Sequence, residues 1–429
     1  MKSSKRIVCQ AVLAALSALA ASAAMAQTAP ALVGGGSSLV APSIGAEISI
    51  FPAADGTASY ASVGSGKGQT AFLNNDATQF SLASGTVVHF ANSDAALSST
   101  QINNYKSSTI GASSGPLIQL PYIVTPITIP LVNAPAGTGP QTTTGQANSV
   151  ALNDNDLCGI FSGKLTDWSQ VTNPDNSSVY AAGPITVVVR GDGSGTTDLL
   201  TRHLASGVCT TGTGGNSNIA FTETQTFKAT LFPSGLPTNF VEATGSGGVA
   251  SELATLKTAG KAGVGYLSPD YTNSFLATST SAPAATNALA VASLRNTSTG
   301  ADVVPTYAAA TTALGTVTPP TGTAAADQTQ WVPNSANPSA GYPISGTSQI
   351  IVSQCYANHS NSPTVNASVV DFLNLHYTNA SNAAILHANG FDTVPTSYQS
   401  AISADFLSNS SGLKLNIGNN SVCSAIAGR

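Results

Sequence analysis

The chain has 429 residues, of which 42% are hydrophobic and only 8% charged, with a formal net charge of −5. Since about 25% charged residues is ordinary for a globular protein, solubility here rests on Ser, Thr, Asn and Gly. So sparse and acidic a charge provides no basic stripe for nucleic acid, and any anionic ligand must be held by local dipoles and hydrogen bonds rather than by a positive field.

In chain order, Lys2, Lys5 and Arg6 precede an apolar run from Ile7 to about Ala24, which ends in Ala24-Met25-Ala26. A basic flank, a short apolar region and a small-x-small site read as a secretory signal over residues 1–26. Gln27 is then the mature N-terminus, and the protein is expected to be periplasmic or secreted. Cys9 lies too early for lipid attachment at the cleavage point. No later stretch is apolar enough to span a bilayer, so no stable membrane insertion is expected after cleavage. Losing the three positive charges of the signal leaves 11 basic against 19 acidic residues, a net charge of −8.

Four cysteines remain: Cys158, Cys209, Cys355 and Cys423. An even count in an exported chain argues for two disulfides. Three pairings are possible, and proximity in sequence suggests Cys158–Cys209 with Cys355–Cys423. No Cys-x-x-Cys or His-x-x-x-His spacing occurs, so no metal site is expected.

The mature length exceeds one comfortable core, so two lobes are expected. Leu117–Ile123 and Ile127–Val132 read as strand, bend and strand. The β-branched block Ile185–Val189 suits a strand buried on both faces. After it come a glycine turn and a helical pattern over Thr196–Leu204. The segment from about Asn287 to Pro343, rich in Ala, Thr, Pro and Gly, reads as a meandering or partly flexible surface excursion. Val365, Val369, Phe372 and Leu373 share one face of an amphipathic helix, with Asp371 and Asn374 on the wetter side. The mixture fits an α/β protein of sheets flanked by helices.

Four segments share a chemical theme: Gly34-Gly35-Gly36-Ser37-Ser38-Leu39, Val63-Gly64-Ser65-Gly66-Lys67-Gly68-Gln69-Thr70, Phe90-Ala91-Asn92-Ser93-Asp94 and Arg190-Gly191-Asp192-Gly193-Ser194-Gly195-Thr196-Thr197. Each sets hydroxyls, glycines or a charge where a turn opens into a helix or ends a strand. Helix N-termini present unpaired N–H groups and a partial positive charge to anions. Ser and Thr add donors, and the Arg190 fork grips two oxygens of a tetrahedral oxyanion, with Asp192 placed to orient it. Asp94 suits an anion that still carries a proton. Hydrogen phosphate has a P–OH for the carboxylate to accept, whereas sulfate meets an unrelieved like charge. Neither a nucleotide P-loop nor a dinucleotide fingerprint is matched, and no cofactor is expected.

Taken in order, these segments resemble the phosphate receptors of ABC transporters, and most closely their DING relatives. Leu157–Trp168, Ser353–Asn358 and Asn416–Cys423 resemble further landmarks of that group. The resemblance implies a two-lobed periplasmic-binding-protein fold with its ligand, inorganic phosphate, in the interlobe cleft. Lobe I would combine residues 27–123 with 345–429, and lobe II would be 124–344. Carried over residue by residue, Ser38 and Leu39 contact phosphate through hydroxyl and backbone, Ser65 donates, and Asp94 accepts the phosphate proton. Arg190 clamps bidentately, while Ser194, Gly195 and Thr196 donate from a helix start. The membrane components of a phosphate ABC transporter are the implied partner. The group's Asp-Ile-Asn-Gly opening is replaced by Ala31-Leu32-Val33-Gly34, Ser38 stands where Thr is usual, and Val40 where Pro is.

Two other functions compete. A secreted phosphatase or similar hydrolase needs a base beside its serine, and the five histidines form no motif. Gly111-Ala112-Ser113-Ser114-Gly115 matches Gly-x-Ser-x-Gly, but Pro116 and a strand follow it, so it reads as a loop rather than a nucleophile elbow. A surface adhesion protein with incidental phosphate binding is the third reading.

Overall fold

The β-branched and aromatic runs fall into three sheets in the computed structural model, which describes residues 28–135, 150–272, 279–287, 289–333 and 335–429. The signal segment lies outside the described residues. Among those described, no helix is long and apolar enough to cross a membrane.

The first sheet has six strands, in the order Asp392–Thr393, Leu117–Pro126, Ser345–Ser353, Phe90–Ser93, Ala31–Gly36, Thr57–Ser62. The last three run parallel to one another, and Ser345–Ser353 is antiparallel to both of its neighbours. The second sheet has five, in the order Ala290–Val291, Pro130–Val132, Gly263–Gly265, Thr186–Arg190, Phe240–Ala243. Thr186–Arg190 is parallel to both of its neighbours, and Val187, Val188 and Val189 are wholly buried, as a both-faces-covered strand requires. A three-stranded sheet of Ala151–Leu152, Ser293–Asn296 and Ala301–Val303 completes the set.

The chain leaves the first sheet along Leu117–Pro126 and returns along Ser345–Ser353. These two strands are paired from Ser345↔Pro126 to Ser353↔Leu117, and every residue of both is buried. They form the core of the connection between the lobes, and Leu117–Pro126 runs unbroken past residue 123. Cys158–Cys209 and Cys355–Cys423 are the two disulfides, each pair neighbours in sequence.

The helix Val365–Thr378 buries Val365, Val369, Phe372 and Leu373, as its periodicity predicts, and Thr364 caps it by accepting from Ala367 N–H at 3.2 Å. Two expectations are corrected. The 287–343 segment is neither a loose excursion nor a bare loop: it contributes the strands named above, the helix Tyr307–Leu314 and two short 3-10 turns. Its alanines and Trp331 explain this, since Ala310, Ala313, Ala325 and Trp331 pack into the interior and the indole N–H donates to the Ala325 carbonyl at 2.9 Å. Gly111–Ser114 belongs to a short helix, Thr109–Ser114, not a loop. The Ser108 hydroxyl accepting from Gly111 N–H is the cap that the sequence reading overlooked.

Candidate functional site

Four turns converge where the two main sheets face each other. Strand Ala31–Gly36 ends at Gly36 with φ +129°, and a Cβ there would lie 2.2 Å from the Asn92 carbonyl oxygen, so only glycine allows this exit. The chain then enters helix Ala41–Ile50 through Ser37, Ser38 and Leu39. Gly64 precedes helix Ser65–Asn74, and Asp94 follows strand Phe90–Ser93. From the second sheet, Thr186–Arg190 leads through Asp192 to Ser194, which caps helix Gly195–His203 by accepting from Thr197 N–H at 3.2 Å. Ser38, Leu39, Ser65, Asp94, Arg190, Ser194 and Thr196 are all at most 3% exposed.

Asp94 is surrounded by donors. Its Oδ1 accepts from Ser37 Oγ at 2.6 Å and from Ser348 Oγ at 2.7 Å, while Oδ2 has only Ser65 Oγ at 3.5 Å, the limit of a hydrogen bond. Burial pushes the Asp94 carboxyl above its ordinary range, against the pull of these hydroxyls and the Arg190 charge. Arg190 Nε and Nη2 donate to the two Asp192 oxygens at 2.7 and 2.6 Å, a bidentate pair. Burial works to raise the Asp192 carboxyl, but the Arg190 bonds and charge outweigh it and hold it below its usual value. Gly195 sits hard against the other side of the site. A Cβ on it would lie 2.5 Å from Asp94 Cβ and 2.6 Å from Ser65 Oγ, so the helix start can reach Asp94 only without a side chain. Thr196 Oγ1 is buried with no hydrogen-bond partner.

Not every sequence candidate points a free donor at the centre. The Leu39 N–H is engaged by Ser37 Oγ at 3.1 Å. Ser38 Oγ lies 3.0 Å from Ser246 Oγ and accepts from Ser246 N–H at 3.0 Å, across from its own sheet. Sequence reasoning missed Ser246, Ser348 and Tyr266, whose hydroxyl accepts from Arg190 N–H at 2.9 Å and pairs with Thr197 Oγ1 at 2.7 Å. Thr244-Gly245-Ser246-Gly247-Gly248 opens helix Gly245–Thr258 with the same Gly/Ser signature as the other turns, so it was findable. Ser348 and Tyr266 carry no local signature.

Two further contacts join the halves: Gly66 N–H donates to the Gly193 carbonyl at 3.0 Å, and Gln225 Nε2 to Gln69 Oε1 at 3.1 Å. The site is therefore closed over by both sides. No histidine reaches it. His203 pairs with Asp154 at 3.0 Å, His376 with Glu47 at 3.1 Å, His387 with Asp392 at 3.0 Å, and His89 accepts from Val33 N–H at 3.0 Å; His359 is exposed.

A family model described as a PBP superfamily domain matches residues 21–375. The chain belongs to the PBP superfamily. It is 37% identical over 388 residues to "Alkaline phosphatase L" of Pseudomonas aeruginosa (strain UCBPP-PA14), covering 86% of this chain and 88% of the relative. A crystal structure of a DING protein superposes with a TM-score of 0.75 at 33% identity, covering 93% of this chain and 99% of the other. A high affinity periplasmic phosphate-binding protein (PfluDING), bound with phosphate at pH 8.5, gives a TM-score of 0.73 at 33% identity with the same coverage. The family match and these likenesses bear out the DING-type resemblance and the two-lobed α/β fold read from the sequence.

Proposed function

We propose that this chain is an exported receptor for inorganic phosphate, taken as hydrogen phosphate, for uptake or scavenging. The carrying observation is the pairing of a buried carboxylate, whose Oδ2 still has acceptor capacity, with a closed shell of hydroxyl, helix-start and guanidinium donors. Such a site suits a small tetrahedral oxyanion that brings one proton. Asp94 accepts that proton, Ser65, Ser194, Gly195 and Thr196 donate, and Arg190, aligned by Asp192, clamps the remaining oxygens; Ser38 and Leu39 line the site and join as donors only by giving up their bonds to Ser246 and Ser37. The partnerless Thr196 hydroxyl fits this assignment, because buried hydroxyls are nearly always bonded and an oxyanion supplies the acceptor. Lobe I on this reading is 27–123 with 345–429, lobe II is 124–344, and the membrane components of a phosphate ABC transporter are the downstream partner.

The same geometry argues against hydrolysis, despite the relative named as a phosphatase. Serine attack needs a base within hydrogen-bond reach; each histidine described above is engaged elsewhere or exposed, and the carboxylate that the site serines do reach, Asp94, is on this reading the acceptor of the phosphate proton. A phosphate ester would also have to pass its organic group through the contacts that close the site. The test is calorimetric titration of phosphate-stripped, folded protein with phosphate and then sulfate near neutral pH, alongside an assay on a chromogenic phosphate monoester. One phosphate site, no sulfate heat and no turnover is the expected result. Absence of phosphate heat, or turnover lost with Ser65 or Ser194 variants, overturns it.

A further inference from the structure

Asp94 lies one residue beyond strand Phe90–Ser93, where Gln349 of the returning strand faces Ser93 in antiparallel register. Continuing that register sets Ser348 opposite Asp94. On the other edge of the same strand the register shifts: Ser348 faces Ile123 but Gln349 faces Pro121, so Tyr122 is an extra residue. A bulge of this kind bends the strand and re-aims side chains beside it. Tyr122 is pinned there, its ring stacked on His376 at 3.6 Å and its hydroxyl donating to Glu47. The outcome is a Ser348 hydroxyl, wholly buried, that joins Ser37 on Asp94 Oδ1.

We propose that Ser348, acting with Ser37, is a specificity-determining positioning residue: two hydroxyl donors saturate Oδ1, hold Asp94 as a pure proton acceptor and leave Oδ2 as its single face toward the oxyanion. This rests on the phosphate reading above. Rejection of a fully deprotonated oxyanion requires Asp94 to carry no proton of its own, because a protonated carboxyl donates to sulfate as readily as an ionised one accepts from P–OH. Burial drives Asp94 toward holding a proton, and hydrogen bonds to the charged form oppose it. Among the other ionisable groups, the Arg190 charge favours the ionised form, while the charge of Asp94 in turn raises Asp198, Asp270 and Tyr60. No hydrogen bond to Oδ1 comes from any of these, and a substitution at 348 leaves them in place.

The experiment is sulfate competition against phosphate, by calorimetry between pH 5 and 8, on wild type, Ser348→Ala and Ser348→Thr, with melting curves to establish folding. Loss of one donor to a charged group is expected to reduce phosphate-over-sulfate selectivity about tenfold or more on the acid side. The pH at which sulfate begins to compete should rise by about one unit, and Ser348→Thr should restore the wild-type profile. If Ser348→Ala does not fold, Ser348→Cys, nearly isosteric and a weak donor, should move the profile the same way. A folded Ala or Cys variant with wild-type selectivity at every pH overturns the proposal while leaving the phosphate reading intact. A wild type that gives no phosphate heat overturns both.

Discussion

At the scale of single residues, the recognition proposed above divides between Arg190, which would supply charge, and Asp94, which would supply discrimination. Arg190→Ala removes the fork and leaves Asp192 as a half-buried carboxylate without its partner, so phosphate and sulfate affinity should fall together by about a hundredfold or more. Asp94→Asn should instead keep much of the binding and lose the preference for phosphate; competition titrations separate the two patterns, and unchanged preference in the Asn variant removes Asp94 from the mechanism. His89 matters for stability rather than binding. Burial, then the charges of Arg429 and His359, push its imidazole down to about 4. Unfolded, the ring titrates near 6.5, so the unfolded chain takes up a proton first as pH falls. Stability attributable to His89 is therefore complete above about 6.5 and declines by about 3 kcal/mol toward pH 4. Asp156, raised by burial to about 6, runs the opposite way, so the useful readout is a difference. Denaturant unfolding at pH 7 and pH 4.5 should show His89→Asn losing less stability on acidification than wild type.

At the scale of elements, the turns of the candidate site were legible because their chemistry is local. Ser194 at a helix cap announces itself in a Gly/Ser turn after a β-branched run, and Gly36 at a positive φ in a run of three glycines before two serines. The helix Val365–Thr378 was equally plain from its apolar spacing. What was not legible is what the site owes to pairing between distant strands: Ser348 reaches Asp94 across 254 positions of sequence, through a bulge that no window of residues encodes. The 287–343 segment misled because its small residues read as a surface excursion, whereas Ala309 and Ala313 let the helix Tyr307–Leu314 lie close against Gly341, with Tyr342 N–H donating to the Ala309 carbonyl at 3.1 Å. Helix Gly195–His203 yields the prediction that belongs at this scale. Gly195→Ala forces a methyl into Asp94 and Ser65, and overpacking of this kind costs about 1–3 kcal/mol. The helix start should withdraw, lowering phosphate affinity roughly ten- to hundredfold with little change in melting temperature; an unaffected affinity would show that the helix start is not a ligand-contacting element.

For the whole molecule, the paired and buried strands Leu117–Pro126 and Ser345–Ser353 carry the chain out of the first sheet and back, and on the proposed reading the contacts between facing loops should set how long a closed form lasts. Gln69 is anchored to its own side by Nε2 donating to Ser93 Oγ at 2.9 Å and to the Ala95 carbonyl at 2.8 Å, so the Gln225 bond to its Oε1 pulls against a fixed point. Ser246 does the same to Ser38 through both its N–H and its hydroxyl. On the proposed reading these bonds close over a bound ligand, so they should act on dissociation rather than on encounter. A neutral hydrogen bond contributes about 1 kcal/mol net, which sets the expectation for Gln225→Ala at a roughly fivefold faster phosphate off-rate, with an on-rate within a factor of two. Ser246→Ala keeps its N–H and loses only the hydroxyl, so its effect should be no larger. Stopped-flow release into a phosphate trap measures both. If the two substitutions together multiply their separate effects, the closing contacts act independently on either side of the ligand; if the double variant releases no faster than Gln225→Ala alone, closure is one concerted step in which the glutamine pair must open before the serine pair can.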